Sequence, residues 1–265
     1  MIAICDDGHE INYDDEGQGI PVLFIHGFPL DHTLWSQQLD GLASRARCIT
    51  PDLRGFGGSG RKGPFSMDQY ADDLVCLLDH LGIQRAVVTG LSMGGYVALA
   101  LWRRHPERVR ALVLADTRAT SDDEGALEKR REMLRAAHET GPKVVGERMQ
   151  EGMVGRSTRD RSPEVVIEVR RIMDRAPMEG IVGAIEAMMA RPDSTPDLPG
   201  IDVPTLIIVG EEDVITPVAD ARAMHAAIAG SRLEVIEGAG HASNMERPAA
   251  FNHLLGEFLA QLELA

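Results

Sequence analysis

Two patterns of apolar residues alternate along the chain. Short uninterrupted apolar runs are typical of buried strands, and longer stretches with apolar residues three or four positions apart are typical of helices. The short runs predict strands at 10–14, 21–25, 47–50, 85–89, 109–115, 204–210 and 233–236. The helical spacing predicts helices at 68–81, 95–102, 128–138, 143–153, 163–173, 178–189, 218–228 and 248–262. This alternation predicts a mostly parallel central sheet with helices on both faces.

Residues 118–196 interrupt the alternation. The segment is charged, rich in methionine and helix-forming, and strand signals are lost after Asp116 and return at Pro204. In an open α/β sheet, ligands bind outside the carboxyl ends of the strands, and a helical insertion at such an end lies over the site. We therefore predict an α/β core domain made of residues 1–117 and 197–265, with residues 118–196 as an inserted helical cap.

A serine flanked by glycines lies between a predicted strand and a predicted helix, in the sequence Gly90-Leu91-Ser92-Met93-Gly94. Glycines two positions before and after the serine remove side chains that would clash in a sharp turn. The turn exposes the hydroxyl and directs the partly positive N-terminus of the next helix toward negative charge that develops there. This context predicts that Ser92 is a nucleophile.

A serine nucleophile needs a histidine base and an acid that orients the histidine. The loops after two later strands contain Asp213 and His241, each in a segment rich in glycine or turn residues. The chain order of serine, acid and histidine predicts His241 as the general base and Asp213 as the orienting acid. Glu211 and Glu212 are alternative acids. Asp213 is favoured because three residues of loop allow its side chain to turn back toward the histidine.

The loop after the predicted strand at 21–25 reads His26-Gly27-Phe28-Pro29-Leu30. Acyl transfer usually needs two backbone N–H groups that stabilise an oxyanion. We predict these donors in Met93, the residue after the nucleophile, and in Phe28. His26 is predicted to brace the loop rather than to act as a base. Surface positions are expected for the other histidines, which are His9, His32, His80, His105, His138, His225 and His253.

The chain resembles the α/β-hydrolase superfamily over almost its whole length. The matching motifs are His26-Gly27-Phe28-Pro29, Asp52-Leu53-Arg54-Gly55-Phe56-Gly57-Gly58-Ser59, the turn at Ser92, the loop with Asp213, and Gly240-His241. The short cap and the first loop are similar to those of carboxylesterases, aryl esterases with perhydrolase activity and 3-oxoadipate enol-lactonases. The resemblance implies an α/β-hydrolase fold, and the fold alone does not determine the substrate.

The favoured function is hydrolysis of small to medium carboxylic esters through a covalent acyl-enzyme on Ser92. A lactonase that acts on an enol-lactone or an acyl-homoserine lactone would use the same three residues. A ligand-binding fold without catalysis is disfavoured, because it would not need all three. We predict a partly methionine-lined substrate pocket. Its candidate residues are Phe28, Leu30, Met93, Met149, Met153 and Met188.

The formal net charge of −14 disfavours binding to nucleic acid or to an anionic membrane surface. Residues 55–60 have the Gly-x-Gly-x-x-Gly spacing of dinucleotide-binding loops, but Gly63 and Pro64 follow where such a loop would begin a helix. No metal-ligand motif is present in the sequence, so no metal or other cofactor is expected. The predicted partner is a small ester or lactone.

The three cysteines are widely spaced and odd in number, which favours reduced core thiols. The first residues lack the basic and apolar regions of a signal peptide, and no apolar run reaches the length of a membrane span. These features favour a cytoplasmic location.

Overall fold

The computed structural model describes residues 1–264, so that the last residue of the predicted core range, Ala265, lies outside the described residues. The central sheet contains β1 (Ile2–Ile4), β2 (Glu10–Glu16), β3 (Ile20–Ile25), β4 (Ala46–Pro51), β5 (Ala86–Leu91), β6 (Val109–Ala115), β7 (Thr205–Gly210) and β8 (Arg232–Ile236). Its spatial order is β1-β2-β4-β3-β5-β6-β7-β8. β1 pairs antiparallel with β2, and β2 pairs antiparallel with β4. All other neighbouring strands, from β4 to β8 in the spatial order, are parallel. The predicted mostly parallel sheet is confirmed.

Helices connect these strands. Within residues 1–264 they are α1 (Ser36–Leu42), α2 (Met67–His80), α3 (Met93–Arg104), α4 (Glu124–Thr140), α5 (Lys143–Met153), α6 (Arg156–Arg161), α7 (Pro163–Met173), α8 (Met178–Ala190), α9 (Val218–Ala227), α10 (Ser243–Glu246) and α11 (Pro248–Leu264). Short 3-10 turns occupy His32–Trp35, Pro106–Arg108 and Thr195–Gly200. β6, α5 and α7 have the predicted bounds. β1, α1, α6 and α10 were not predicted, because three to seven residues are too few for a clear period.

The two faces of the sheet pack against different helices. Val22 and Phe24 of β3 belong to the apolar cluster of α1 and α11. The alternate residues Leu23 and Ile25 belong to the cluster of α2 and α3. This alternation follows from the two-residue period of a strand. Helices therefore cover both faces, and the carboxyl ends of the parallel strands meet at one open edge.

Helices α4 to α8 occupy the segment between β6 and β7. The two ends of this segment are joined where they leave the sheet. The N–H of Ser194 donates to the carbonyl oxygen of Ala119 at 2.9 Å. The guanidinium of Arg191 donates to the carbonyl oxygen of Thr120 and to a carboxylate oxygen of Asp122, both at 2.9 Å. The segment thus leaves and re-enters the core at one place, and its division from the core at 118 and 196 stays a prediction.

The prediction of three reduced cysteines is wrong for two of them. Cys5 and Cys76 form a disulfide between the end of β1 and α2, with their Cα atoms 5.8 Å apart. Because the short edge strand β1 was not predicted, no sequence signal placed these two residues side by side. Cys48 is a free, buried thiol, and burial raises its pKa to about 12. Its thiol is therefore protonated near neutral pH.

The expected surface position of His9 is also wrong. Its side chain is only 4% exposed and packs in the turn before β2, with Nε2 3.8 Å from a carboxylate oxygen of Asp73. The unpredicted β1–β2 pairing buries this turn against α2. Within residues 1–264, no helix is both long enough and apolar enough to cross a membrane.

Candidate active site

Ser92 lies in the sharp turn between β5 and α3, with φ 56° and ψ −115°. A residue other than glycine in such a conformation stores about 1–3 kcal/mol of strain, which the surrounding structure must offset. Glycines make the turn possible. A Cβ atom at Gly90 would overlap the carbonyl oxygen of Gly94, and one at Gly94 would overlap the carbonyl oxygen of Ile25. The serine side chain is therefore held at the carboxyl edge of the sheet, at the N-terminus of α3.

His241 connects Ser92 with Asp213. Its Nε2 atom lies 2.8 Å from the Oγ atom of Ser92, and its Nδ1 atom lies 2.8 Å from an oxygen of Asp213. Both residues are buried, with 1% of His241 and 4% of Asp213 exposed. The geometry fits a neutral imidazole that donates from Nδ1 to the carboxylate and accepts the serine proton at Nε2. The structure thus brings together the three residues predicted as nucleophile, base and acid.

The carboxylate of Asp213 is held on both oxygens by its own loop. One oxygen accepts the N–H groups of Ile215 at 2.8 Å and Thr216 at 3.0 Å. The other accepts the Thr216 hydroxyl at 2.8 Å in addition to His241. The alternative acids bind elsewhere. Glu211 accepts the N–H of Gly238, and Glu212 accepts the N–H and hydroxyl of Ser157, so the geometry favours Asp213.

Electrostatics support this arrangement. Burial alone would raise the pKa of Asp213, but the neighbouring His241 and the Thr216 hydrogen bonds outweigh it and lower that pKa. Burial alone would lower the pKa of His241, but the Asp213 carboxylate outweighs it and raises that pKa above its ordinary value. The acid therefore stays ionised, and the histidine takes up a proton more readily than a free imidazole.

Asp116 is a buried carboxyl group next to this pair that sequence reasoning missed. Burial and the charge of Asp213 raise its pKa well above its usual value. Its oxygens bind the N–H of Gly210 at 2.8 Å and the hydroxyl of Ser243 at 2.5 Å. It thereby links the loop before Asp213 to the loop after His241. Sequence reasoning could have found Asp116 from its position directly after β6, at the same edge of the sheet as Asp213 and His241.

The loop at 26–30 lies against the nucleophile. A Cβ atom at Gly27 would stand 3.2 Å from Cβ of Ser92, so that only glycine allows this approach without displacement. His26 is fully buried; its Nδ1 atom lies 2.9 Å from the carbonyl oxygen of Gly27, and its Nε2 atom accepts the N–H of Leu53 at 2.9 Å. Burial lowers the pKa of His26, which favours the neutral form. The ring therefore braces the loop.

The predicted oxyanion donors are the backbone N–H groups of Met93, which follows Ser92, and of Phe28, which follows Gly27. Met93 begins α3, where helical N–H groups have no acceptor within the helix. Within residues 1–264, the N–H of Phe28 has no hydrogen-bond acceptor. An N–H group that is free in a buried loop costs stability, so an acceptor from a ligand would be favourable there. The role of both N–H groups as oxyanion donors stays a prediction.

The predicted pocket residues are packed rather than exposed. Phe28, Leu30, Met93, Met153 and Met188 are buried, and Met149 is half-buried. Met149 borders both apolar clusters of the core. Their contact with a substrate stays a prediction. A cavity of about 740 Å³ opens elsewhere, and its lining includes Cys5, Asp73, Cys76 and His105 but none of these six residues.

Asp31, His32 and Asp52 bring two carboxylate oxygens and one imidazole nitrogen, all possible metal ligands, within 4.8 Å of one another. These groups are already bound to the protein. Asp52 accepts from the N–H of His32 at 2.8 Å and contacts its ring nitrogen at 2.7 Å. Asp31 pairs with Arg175 at 2.8 Å. The cluster fixes the loop after β3 to β4, and its bonds give it a structural explanation.

Comparison with known proteins identifies relatives over nearly the whole chain. Residues 20–248 match the family model of the alpha/beta hydrolase fold. The sequence is 33% identical over 246 residues to 3-oxoadipate enol-lactonase 2 of Acinetobacter baylyi, covering 92% of this chain and 90% of that protein.

Solved structures agree with the sequence comparison. A thermophilic esterase from Thermogutta terrifontis superposes with a TM-score of 0.95 and 40% identity, covering 99% of this chain and 98% of that one. The enol-lactonase from Burkholderia xenovorans LB400 superposes with a TM-score of 0.90 and 30% identity, covering 98% of this chain and all of that one. Both therefore share the fold across their full length.

Proposed function

The chain belongs to the α/β-hydrolase fold family, and we propose that it is a serine hydrolase that cleaves carboxylic esters of small to medium size. One observation carries the proposal: Nε2 of His241 lies 2.8 Å from Oγ of Ser92 while Nδ1 lies 2.8 Å from Asp213. A serine hydroxyl is a weak nucleophile, and a histidine at this distance can remove its proton as the oxygen attacks.

The first half of the reaction forms an acyl-enzyme. Oγ of Ser92 attacks the carbonyl carbon of the ester as its proton moves to Nε2 of His241. The carbonyl oxygen becomes an oxyanion that accepts the N–H groups of Phe28 and Met93, which stabilise it more than the flat ground state. When the tetrahedral intermediate collapses, the C–O bond to the alcohol breaks, and His241 returns the proton to the departing oxygen. The acid part of the ester remains bound to Ser92.

The second half releases the acid. A water molecule takes the place of the alcohol and gives its proton to His241 as it attacks the acyl carbon. The new tetrahedral intermediate expels Oγ of Ser92, which regains the proton. The raised pKa of His241 supports both proton transfers, because the Asp213 carboxylate stabilises the imidazolium that forms twice in each cycle.

A lactonase is the second candidate, supported by the enol-lactonases to which the chain is similar. The same residues would open the ring by the same steps, but the leaving alcohol would remain attached to the acyl group. Esterase activity is preferred because the 40% identity to the Thermogutta esterase exceeds the identity to the enol-lactonases. Comparison of kcat/KM for p-nitrophenyl esters and for a panel of lactones decides between the two.

The experiment that tests the proposal compares wild type with Ser92→Ala on p-nitrophenyl acetate and butyrate. Loss of the nucleophile is expected to lower kcat roughly 10⁶-fold, leaving only the residual rate that binding and the oxyanion donors support. The variant removes one half-buried hydroxyl and keeps the Cβ atom, and its thermal unfolding serves as the folding control. Undiminished turnover by folded Ser92→Ala contradicts the proposal.

A further inference from the structure

The carboxylate of Glu246 binds the backbone on both sides of the histidine of the candidate active site. Glu246 ends the short helix α10 that follows His241, and only 5% of it is exposed. One of its oxygens accepts the N–H of Gly240 at 2.8 Å and that of Ala242 at 3.2 Å. The residues immediately before and after His241 are therefore bound to the same oxygen atom.

The other oxygen of Glu246 binds the helical segment between β6 and β7. It accepts the N–H of Gly155, between α5 and α6, at 2.8 Å. The N–H of Ala242 also donates to the carbonyl oxygen of Met153 at 3.0 Å. The two backbones approach so closely that a Cβ atom at Gly155 would lie 2.9 Å from the nitrogen of Gly240. One buried carboxylate therefore holds both the histidine loop and the segment packed on it.

These contacts are strong and have a defined geometry. Hydrogen bonds from N–H groups to a carboxylate are about twice as strong as those between neutral groups. Three of them converge on Glu246 in a site sheltered from water. A shift of the loop by a few tenths of an ångström would lengthen the 2.8 Å approach of His241 to Ser92, on which proton transfer depends.

We propose that Glu246 is a positioning residue for His241. It couples the orientation of the imidazole to the position of residues 153–157, which pack on the histidine loop. The inference rests on the proposed function, because it assigns to Glu246 the support of the general base. Glu246 acts through its hydrogen bonds to the loop and through its negative charge. The groups that face the imidazole are the carboxylates of Asp213, Asp116 and Glu246 and the hydroxyls of Ser92 and Thr216.

Two variants separate the effect of the charge of Glu246 from the effect of its side-chain length. Glu246→Gln keeps the length of the side chain but removes its charge, and its NH2 group must meet at least one backbone N–H donor. We expect kcat for a p-nitrophenyl ester to fall about tenfold, with KM changed less than about threefold. The acid limb of the pH profile of kcat/KM is the range in which activity falls as His241 becomes protonated. This acid limb should move to lower pH, because the imidazolium loses a neighbouring negative charge. Glu246→Asp keeps the charge, so kcat should fall while the acid limb stays at its wild-type pH.

Glu212→Gln is the matched control. Glu212 also holds the helical segment, through the N–H of Ser157 at 2.8 Å and its hydroxyl at 2.6 Å, but it binds neither neighbour of His241. We expect its kcat to remain within about twofold of wild type and its acid limb to be unmoved. If the control and Glu246→Gln lose activity equally with no shift of the limb, the coupling is not specific to Glu246 and the proposal is overturned.

The outcomes separate this proposal from the function it rests on. A folded Glu246→Gln protein with wild-type kcat and acid limb overturns the positioning role, whatever its melting temperature. If Glu246→Gln does not fold, Glu246→Asp decides, and wild-type kcat in that variant contradicts the proposal. If wild type shows no Ser92-dependent turnover, the proposed function fails instead. NMR titration of the His241 imidazole in wild type and Glu246→Gln then still tests the influence of Glu246, because a lower pKa in the variant is expected and an unchanged one contradicts it.

Discussion

Nε2 of His241 lies 2.8 Å from Oγ of Ser92, although 149 residues separate the two in the chain. The contact exists because β5 and β8 belong to the parallel part of one sheet, where the carboxyl ends of the strands meet at one edge. Ser92 reaches this edge through the sharp turn after β5, and His241 reaches it in the loop after β8. The long-range pairing of strands, rather than local sequence, creates the site.

Asp213→Asn is expected to lower kcat about 10³- to 10⁴-fold while the protein stays folded. The amide can present its NH2 group to Nδ1 of His241, which favours the tautomer that protonates Nε2 and cannot accept the serine proton. Steady-state hydrolysis of a p-nitrophenyl ester measures the loss. Glu211→Gln is the matched control, since its carboxylate binds the N–H of Gly238 instead. A greater loss in Glu211→Gln than in Asp213→Asn would reassign the acid.

Activity should increase with pH through a single histidine titration. The pKa of His241 is raised in the folded protein, so the neutral base is lost as pH falls through a value above the ordinary histidine pKa of about 6.5. Asp213, whose pKa is lowered, remains ionised across this range. The pH dependence of kcat/KM locates the limb. A limb well below pH 6 in wild type disagrees with an imidazole that Asp213 stabilises in its charged form.

The same raised pKa has an opposite consequence for stability. A histidine with a raised pKa stabilises the folded state below its unfolded pKa, and this contribution disappears as pH rises through the folded pKa. His241 is therefore protonated where it stabilises most and deprotonated where it is active. Thermal unfolding of wild type and His241→Ala across pH 5–9 measures this contribution as a difference that shrinks at higher pH.

Gly27→Ala is expected to reduce kcat without loss of the fold. The added methyl group would lie 3.1 Å from the carbonyl oxygen of Leu91 and 3.2 Å from Cβ of Ser92, so the loop that contains Phe28 must move away. Overpacking of this kind costs about 1–3 kcal/mol, and the displaced N–H group stabilises the oxyanion less well. Equal kcat values for Gly27→Ala and wild type would remove the support for Phe28 as an oxyanion donor.

Methionines of the proposed cap are expected to influence acyl-chain preference more than the chemistry. Met149→Ala should raise the relative kcat/KM for p-nitrophenyl hexanoate over acetate by about tenfold, because pocket methylenes contribute roughly 1–3 kcal/mol each to discrimination. Met133→Ala, also in the helical segment, is the control. Identical effects on both substrates would place Met149 outside the pocket.

The sequence predicted the helices and strands that have a clear apolar pattern, and the candidate site residues that follow the ends of strands. The buried run 109–115 and the helices at 143–153 and 163–173 have the predicted bounds, because a uniformly apolar run marks the strand and apolar residues at helical spacing mark each helix. The Cys5–Cys76 disulfide was missed because it depends on the pairing of a three-residue edge strand.

Glu246 was missed for a related reason. It binds backbone N–H groups, which carry no residue identity, and one of them belongs to Gly155, 91 residues away in the chain. The meeting of Ser92, Asp213 and His241 could be predicted because the proposed chemistry requires these particular side chains. Residues that support others through the main chain become visible only when the fold brings the segments together.

The most direct test of the covalent mechanism is stoichiometric labelling with a fluorophosphonate, followed by intact-mass and peptide mass spectrometry. We predict one label per folded chain, on Ser92, with concurrent loss of ester hydrolysis. Ser92→Ala and denatured wild type should remain unlabelled, because reaction requires the nucleophile and the His241 base together. A label on another serine, or full hydrolytic activity in protein labelled at Ser92, would contradict a mechanism through an acyl-enzyme on this residue.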